Sequence, residues 1–272
     1  MDEGFTFTNN IQVKLNDDLV QNQDYSIYLK NDETNKITDE CTFEIKFMKE
    51  FCDKLKENDK IYVTYTATLN SKAFIGIKND GSGNTNATKI TYGANNKESV
   101  ESKTQTYTYQ IPVYKYTGTD ENKQGLAGAK FKLYTNTDFI EANEVKVKEE
   151  VGAEYFVGST DDKKNVMTSP QSGEFTIKGL KAGTYYLKEI EAPKGYNLLA
   201  NAVEIQITQD GKVKVKKGAN FEEVTEVGVQ NKSGTLLPST GGAGTTMIYL
   251  VGALLVLGSG VVLASKRRSN SK

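Results

Sequence analysis

Three residues stand out for what their types could do together: Lys115, Glu189 and Asn231. Tyr107, Tyr109, Ile111, Val113 and Lys115 share one parity, Tyr185, Leu187 and Glu189 a second, and Val227, Val229 and Asn231 a third. Period-two alternation marks a strand with one buried face, so each polar residue continues an inward face beyond its apolar members. A lysine taken out of water favours its neutral, nucleophilic amine, and a buried carboxyl favours its protonated form. Asparagine supplies a carboxamide. The set therefore allows Lys115 to attack the side-chain carbonyl of Asn231, with Glu189 polarising that carbonyl, moving protons and letting ammonia leave. Such a reaction runs once per molecule and needs no cofactor. The competing reading is three rim residues with solvated heads, since a lysine stem lies easily along apolar surface.

A second stretch carries a different kind of signal. Leu237, Pro238, Ser239, Thr240 and Gly241 read LPSTG, residues 247–264 are almost wholly apolar, and Lys266, Arg267 and Arg268 follow. Eighteen helical residues at ~1.5 Å each reach about 27 Å, close to the hydrocarbon thickness of a bilayer. The run is expected to be a transmembrane helix with its basic end in the cytoplasm, which puts everything before the motif outside. Pro238 fixes its own φ and biases Leu237 toward an extended conformation, suited to a peptide lying in an enzyme groove.

The elements that must position these groups are strands. To about residue 100 the chain alternates repeatedly, most clearly over Lys60–Leu69, where Ile61, Val63, Tyr65, Ala67 and Leu69 are expected on one face. Tyr25, Ile27 and Leu29 form one further set, and Phe43, Ile45 and Phe47 another. Only Lys49–Glu57 suggests a helix. Residues 95–106 are polar and read as a connector, and a second run of strands extends from about Thr106 to Asn231.

Composition narrows the chemistry. The 272 residues allow two cores of ordinary size. There is no histidine, which excludes Ser-His and Cys-His nucleophile activation and any His-bearing metal site, so an enzyme is not expected. Lys and Arg total 34 against 35 Asp and Glu; removal of Lys266, Arg267, Arg268 and Lys272 with the tail leaves a net of −5. That balance lacks the basic footprint of a nucleic-acid binder. Asp80–Asn86 is rich in oxygen ligands, but Thr85 and Thr91 stand where a helix-loop-helix calcium loop wants Gly and Glu, so a solvated turn and no metal are expected. Cys41 and Cys52 flank a strand that carries the chain more than ~20 Å, whereas a disulfide needs Cα atoms within ~7 Å; two buried free thiols are expected. The chain opens Met-Asp-Glu-Gly with no basic or apolar leader. With the outward topology set by the tail, this leads to the expectation of an N-terminally shortened version of a longer precursor.

The order LPSTG, apolar run, basic residues resembles the cell-wall sorting signal of Gram-positive surface proteins. That resemblance implies cleavage by a sortase between Thr240 and Gly241, a thioester on the sortase cysteine, and resolution by an amine from peptidoglycan or from another subunit's lysine. Residues 3–96, with GFTF, CTFEIKF, VTYTATLN and GNTNATKITY, resemble the fimbrial isopeptide-forming domain of Gram-positive pilins. In that family an early-strand lysine bonds an asparagine near the domain's end. Here the early strand is missing and Gly93-Ala94-Asn95-Asn96 follows Tyr92, so no complete crosslink is expected in this part. From Val113 to Asn231 the chain resembles the SpaA-type, prealbumin-like B domain of pilins and collagen adhesins, through VYKY, GLAGAKFKLY, GEFTIKGLKAGTYYLKEIEAPKGYNLL and VGVQNKSG. The resemblance implies that Lys115 is the first-strand lysine, Glu189 the E-box glutamate and Asn231 the last-strand asparagine of a self-made isopeptide bond.

The expected architecture is all-β: two tandem immunoglobulin-like or prealbumin-like β-sandwich domains, plus the C-terminal transmembrane helix. The domains expected are a partial fimbrial domain over 1–100, a SpaA-type domain over 107–232, a linker over 233–236 and the sorting signal over 237–272. The function implied is a cell-surface structural subunit of a fimbria, a sortase substrate rather than an enzyme. Its implied partners are sortase, peptidoglycan precursor or other pilin subunits, and transiently the membrane. The alternative is the stalk of a monomeric wall-anchored adhesin whose upstream part binds host extracellular matrix. A backbone pilin's VYPK-like motif does not occur, and Val113-Tyr114-Lys115-Tyr116 lacks its proline.

Overall fold

Alternating apolar residues and turn-forming Gly, Asn and Asp build a succession of strands between Phe5 and Gln230. The computed structural model describes residues 1–30, 32, 37, 39–158 and 165–234. The sorting motif Leu237–Gly241, the apolar run 247–264 and the basic residues 266–268 lie outside the described residues. Among the described residues no helix is long and apolar enough to cross a membrane.

In the first 106 residues the strands are short and pair in small groups. They are β1 (Phe5–Phe7), β2 (Gln12–Leu15), β3 (Asp18–Leu19), β4 (Tyr25–Leu29) and β5 (Phe43–Phe47), then the one-turn helix α1 (Lys49–Cys52). There follow β6 (Ile61–Thr64), β7 (Ala67–Leu69), β8 (Asn84–Thr88), β9 (Thr91–Tyr92), β10 (Lys97–Glu98) and β11 (Ser102–Thr106). β3-β2-β6 form a three-stranded sheet, and the pairs β1-β7, β4-β5, β8-β11 and β9-β10 are two-stranded.

Three expectations fail here in instructive ways. The single strand expected over Lys60–Leu69 is split: its first half pairs with β2 and its second with β1. Between those pairings Thr8–Ile11 opposes only Tyr65 and Thr66, and the Asn10 side chain takes the Thr66 N–H at 2.8 Å, so the ladder bulges. Val63, expected inward, is exposed. The helix expected to Glu57 stops at Cys52. Lys54 N–H and Leu55 N–H bond back only three residues, to Phe51 and Cys52, tighter turns that end the helix after its one packed residue, Phe51, stacks on Phe47 at 5.4 Å. The cysteines are free, but not both buried: Cys52 is exposed and Cys41 half-buried. Burial, then neighbouring Asp39, pushes the Cys41 thiol up to about 12, and its S–H donates to the Phe43 carbonyl at 3.2 Å.

From residue 109 the strands lengthen and close over a core. They are β12 (Tyr109–Thr119), β13 (Asn122–Gly125), β14 (Lys130–Tyr134), β15 (Val147–Glu150), β16 (Glu154–Val157) and β17 (Met167–Thr168). Then come β18 (Glu174–Leu180), β19 (Gly183–Glu191), β20 (Val203–Ile207), β21 (Val213–Lys217), β22 (Asn220–Val224) and β23 (Val227–Gln230). One six-stranded sheet runs β13-β12-β18-β16-β15 with β23 beside β12; the other runs β17-β14-β19-β20-β21-β22. Nineteen buried residues drawn from both sheets, among them Ile111, Phe131, Leu133, Ile177, Leu187 and Val229, form the core of this β-sandwich. β12 and β23, the first and last strands, are parallel neighbours, with Lys115 opposite Val229.

A small second unit comprises Lys194–Asn197 and the chain from Lys232. Its described residues form an antiparallel clip, with a bridge between Tyr196 and Ser233, Asn197 N–H bonded to the Lys232 carbonyl and Gly234 N–H to that of Gly195.

Candidate functional site

Strand alternation delivers all three candidate side chains to the sandwich interior. Along β12 residues Tyr109, Ile111, Val113 and Lys115 are buried, and the same parity buries Tyr185, Leu187 and Glu189 on β19 and Val227, Val229 and Asn231 at the end of β23. Lys115 is 0% exposed, Glu189 2% and Asn231 1%. The rim alternative, with heads in water, is incompatible with that burial.

Two sheets contribute. Lys115 and Asn231 come from adjacent parallel strands: Asn231 lies two residues beyond Val229, the register partner of Lys115, and its N–H bonds the Tyr116 carbonyl at 3.0 Å. Side chains two apart along a strand share a face, so the pair are diagonal neighbours. Glu189 reaches them from β19 in the opposite sheet, where it is paired with Phe131 beside a β-bulge. Asn231 Nδ2 donates to Glu189 Oε2 at 2.9 Å, and Glu189 Oε1 is 4.0 Å from Lys115 Nζ.

The surroundings tune the amine. Burial pulls the Lys115 pKa down to about 8 from its ordinary 10.5, with the nearby Glu189 opposing part of that shift. Burial thus enlarges the neutral fraction of the amine near neutral pH. Lys115 Nζ donates to the Val229 carbonyl at 3.0 Å, which fixes the head of the side chain between two strands. Backbone groups clamp the stem: Lys115 N–H bonds the Gly173 carbonyl at 2.8 Å and its own carbonyl accepts Leu126 N–H at 2.9 Å. Gly173 has φ +82° and a Cβ there would collide with the Lys115 carbonyl oxygen, so only glycine lets that turn approach the strand.

Sequence reading missed the backbone participants, namely the Val229 carbonyl, the Gly173 turn and the Leu199 amide, whose N–H donates to Glu189 Oε2 at 2.8 Å. A backbone group carries no residue-type signal; only the SGEF turn glycine offered a hint. The remaining named residues, Leu237, Pro238, Ser239, Thr240 and Gly241, are outside the described residues. Asp80 accepts the N–H and hydroxyl of Ser82 at 2.9 and 2.6 Å, so its carboxylate braces its own turn.

Comparison with known proteins agrees with this architecture. Residues 113–220 match the SpaA prealbumin-like fold domain, and residues 229–272 match the LPXTG cell wall anchor motif. The protein is therefore a cell-wall-anchored surface protein built around a prealbumin-like domain. It is similar to fimbrial subunit type 1 of Actinomyces viscosus, at 39% identity over 89 residues, 32% of this chain and 16% of that protein. It is also similar to the trypsin-resistant surface T6 protein of Streptococcus pyogenes serotype M6, at 26% identity over 252 residues, 86% of this chain and 41% of that one. Among solved structures, the major pilin SpaD of Corynebacterium diphtheriae matches with a TM-score of 0.56 and 26% identity, covering 86% of this chain and 55% of SpaD. The chain thus spans well under two thirds of each of these relatives.

Proposed function

We propose that this chain is the anchoring end of a structural pilus subunit, cleaved by sortase between Thr240 and Gly241 and joined there to peptidoglycan or another subunit. Its sandwich is closed by an isopeptide bond between Lys115 and Asn231. The observation that carries the bond is the burial of a lysine, a glutamate and an asparagine together, with Glu189 2.9 Å from Asn231 and 4.0 Å from Lys115. Burying an amine and a carboxyl costs several kcal/mol where the two are not tightly paired, and 4.0 Å is a loose ion pair. Forming an amide removes the amine's charge and makes that burial tolerable.

The reaction balances without a cofactor. Neutral Lys115 Nζ attacks Asn231 Cγ while a proton from Glu189 stabilises the carbonyl oxygen. Glu189 then carries a proton from the lysine nitrogen to the departing amide nitrogen. One C–N bond forms, one breaks, and ammonia leaves. Glu189→Ala is expected to abolish the bond. Intact mass of the wild-type chain should be short by one ammonia and that of the variant should not; a wild type of full mass overturns the reading.

Because β12 and β23 are parallel neighbours, load applied at the two ends of the domain shears them, and a bond between Lys115 and Asn231 takes that load past the rest of the sandwich. This is the property a shaft needs. A second reading, the stalk of a monomeric adhesin, draws on one observation. Lys115, the lysine of VYKY, is 0% exposed and so is closed to a sortase carrying another subunit. A detergent-resistant ladder of high-mass species supports the polymer; a single wall-linked band supports the stalk.

A further inference from the structure

The two oxygens of Glu189 are held differently. Oε2 accepts two N–H donors, the Leu199 backbone amide at 2.8 Å and Asn231 Nδ2 at 2.9 Å. Oε1 is buried, accepts no hydrogen bond among the described residues and lies 4.0 Å from Lys115 Nζ. An oxygen already facing two donors cannot carry a hydrogen of its own without setting it against one of them. Any proton Glu189 carries therefore belongs on Oε1, on the side of the reacting amine.

We propose that the Leu199 backbone amide is a positioning group for crosslinking: by donating to Oε2 it locks the Glu189 carboxyl and confines its acid proton to Oε1. This role rests on the isopeptide reading above. The Asn231 donor cannot do the job alone, because its carboxamide loses its nitrogen during the reaction, whereas the backbone amide stays. The Leu199 side chain packs against the sandwich core, and that anchors the segment so that its N–H points at Glu189. Neighbouring Leu198 is 53% exposed, so the segment passes from surface to core within one residue.

The test changes only the N–H. Replacing Leu199 with its α-hydroxy analogue during cell-free synthesis of the full chain turns the amide into an ester and keeps the side chain. Ammonia loss is then followed by intact mass against time at several pH values. The ester chain should crosslink about ten- to a hundredfold more slowly, the loss of one hydrogen bond to a charged or proton-bearing group. Its pH profile should also be displaced from that of wild type, which a purely structural role would not do. An ester chain that crosslinks at the wild-type rate and profile overturns the proposal, while a wild-type chain of full mass overturns the crosslink itself. Should the ester chain fail to fold, amide exchange decides: in Asn231→Ala the Leu199 N–H should exchange slowly, and in Glu189→Ala much faster. Equal rates in the two would defeat the assignment.

Discussion

Residues 1–106 and the sandwich that follows are both strand-rich, and they differ in what they bury. The sandwich encloses nineteen core residues, together with Lys115, Glu189 and Asn231. The first region, among the described residues, buries only Val13, Tyr25, Phe51 and Ala73 of its apolar side chains, and Asn84 of its polar ones. Asn84 is fully engaged: its carbonyl oxygen accepts Phe74 N–H, and its amide donates to the carbonyls of Phe74 and Thr106. Its lysines stay at the surface, as in the exposed Lys89 bridging Asp39 and Glu98. Alternation is common to both regions; a neutral lysine needs a second sheet on top of the first. Desolvation, rather than strand formation, is what separates the two regions.

The strongest way to break this contrast is to remove the proposed bond. Asn231→Ala should lower the stability of the sandwich by about 4 to 5 kcal/mol, the loop-closure value for joining chain ends more than about a hundred residues apart. Denaturation should show the loss in the sandwich alone, and trypsin should then cut both regions. A variant as stable as wild type would remove the mechanical argument. Next in size are core truncations. Leu187→Ala, at a 1% exposed position, should cost about 2–5 kcal/mol, against no more than about 0.5 kcal/mol for Leu19→Ala, whose side chain is 62% exposed. Similar costs would mean the first region is packed better than its burial implies.

A finer probe uses pH. In the uncrosslinked Asn231→Ala chain Lys115 titrates near 8 when folded and at its ordinary 10.5 when unfolded, so between those values the unfolded chain binds more protons. Stability should rise with pH through that window and be flat below it. Comparison with a Lys115→Met, Asn231→Ala double variant isolates this slope from other groups, and the crosslinked wild type, having no amine there, should lack it. The smallest effect expected is at the surface. Lys217 and Glu222 pair at 2.7 Å with more than half of each side chain exposed, so Lys217→Gln should shift the unfolding midpoint least of all these variants.

Much of the site was legible in the chain because parity along a strand is a local property. Ile111, Val113 and Lys115 point the same way whatever they pack against, and so do Leu187 and Glu189. The errors fell where a partner strand decides. Lys60–Leu69 reads as one strand until β1 and β2 divide it, and Lys49–Glu57 reads as one helix until its turns tighten after Cys52. Cys52 looked buried because Phe51 and Leu55 were near in sequence, yet of the three only Phe51 is buried, stacked on Phe47.

By itself the sequence determined the all-β class, the anchor motif and the identities and inward faces of Lys115, Glu189 and Asn231. Residue type, spacing and alternation are written along the chain. Only the tertiary structure decided that the first and last strands lie parallel and adjacent, that the glutamate arrives from the opposite sheet, and that backbone groups of Val229, Gly173 and Leu199 aim the side chains. Those relations join residues up to 114 positions apart, and their register is set by how two sheets close over a shared core.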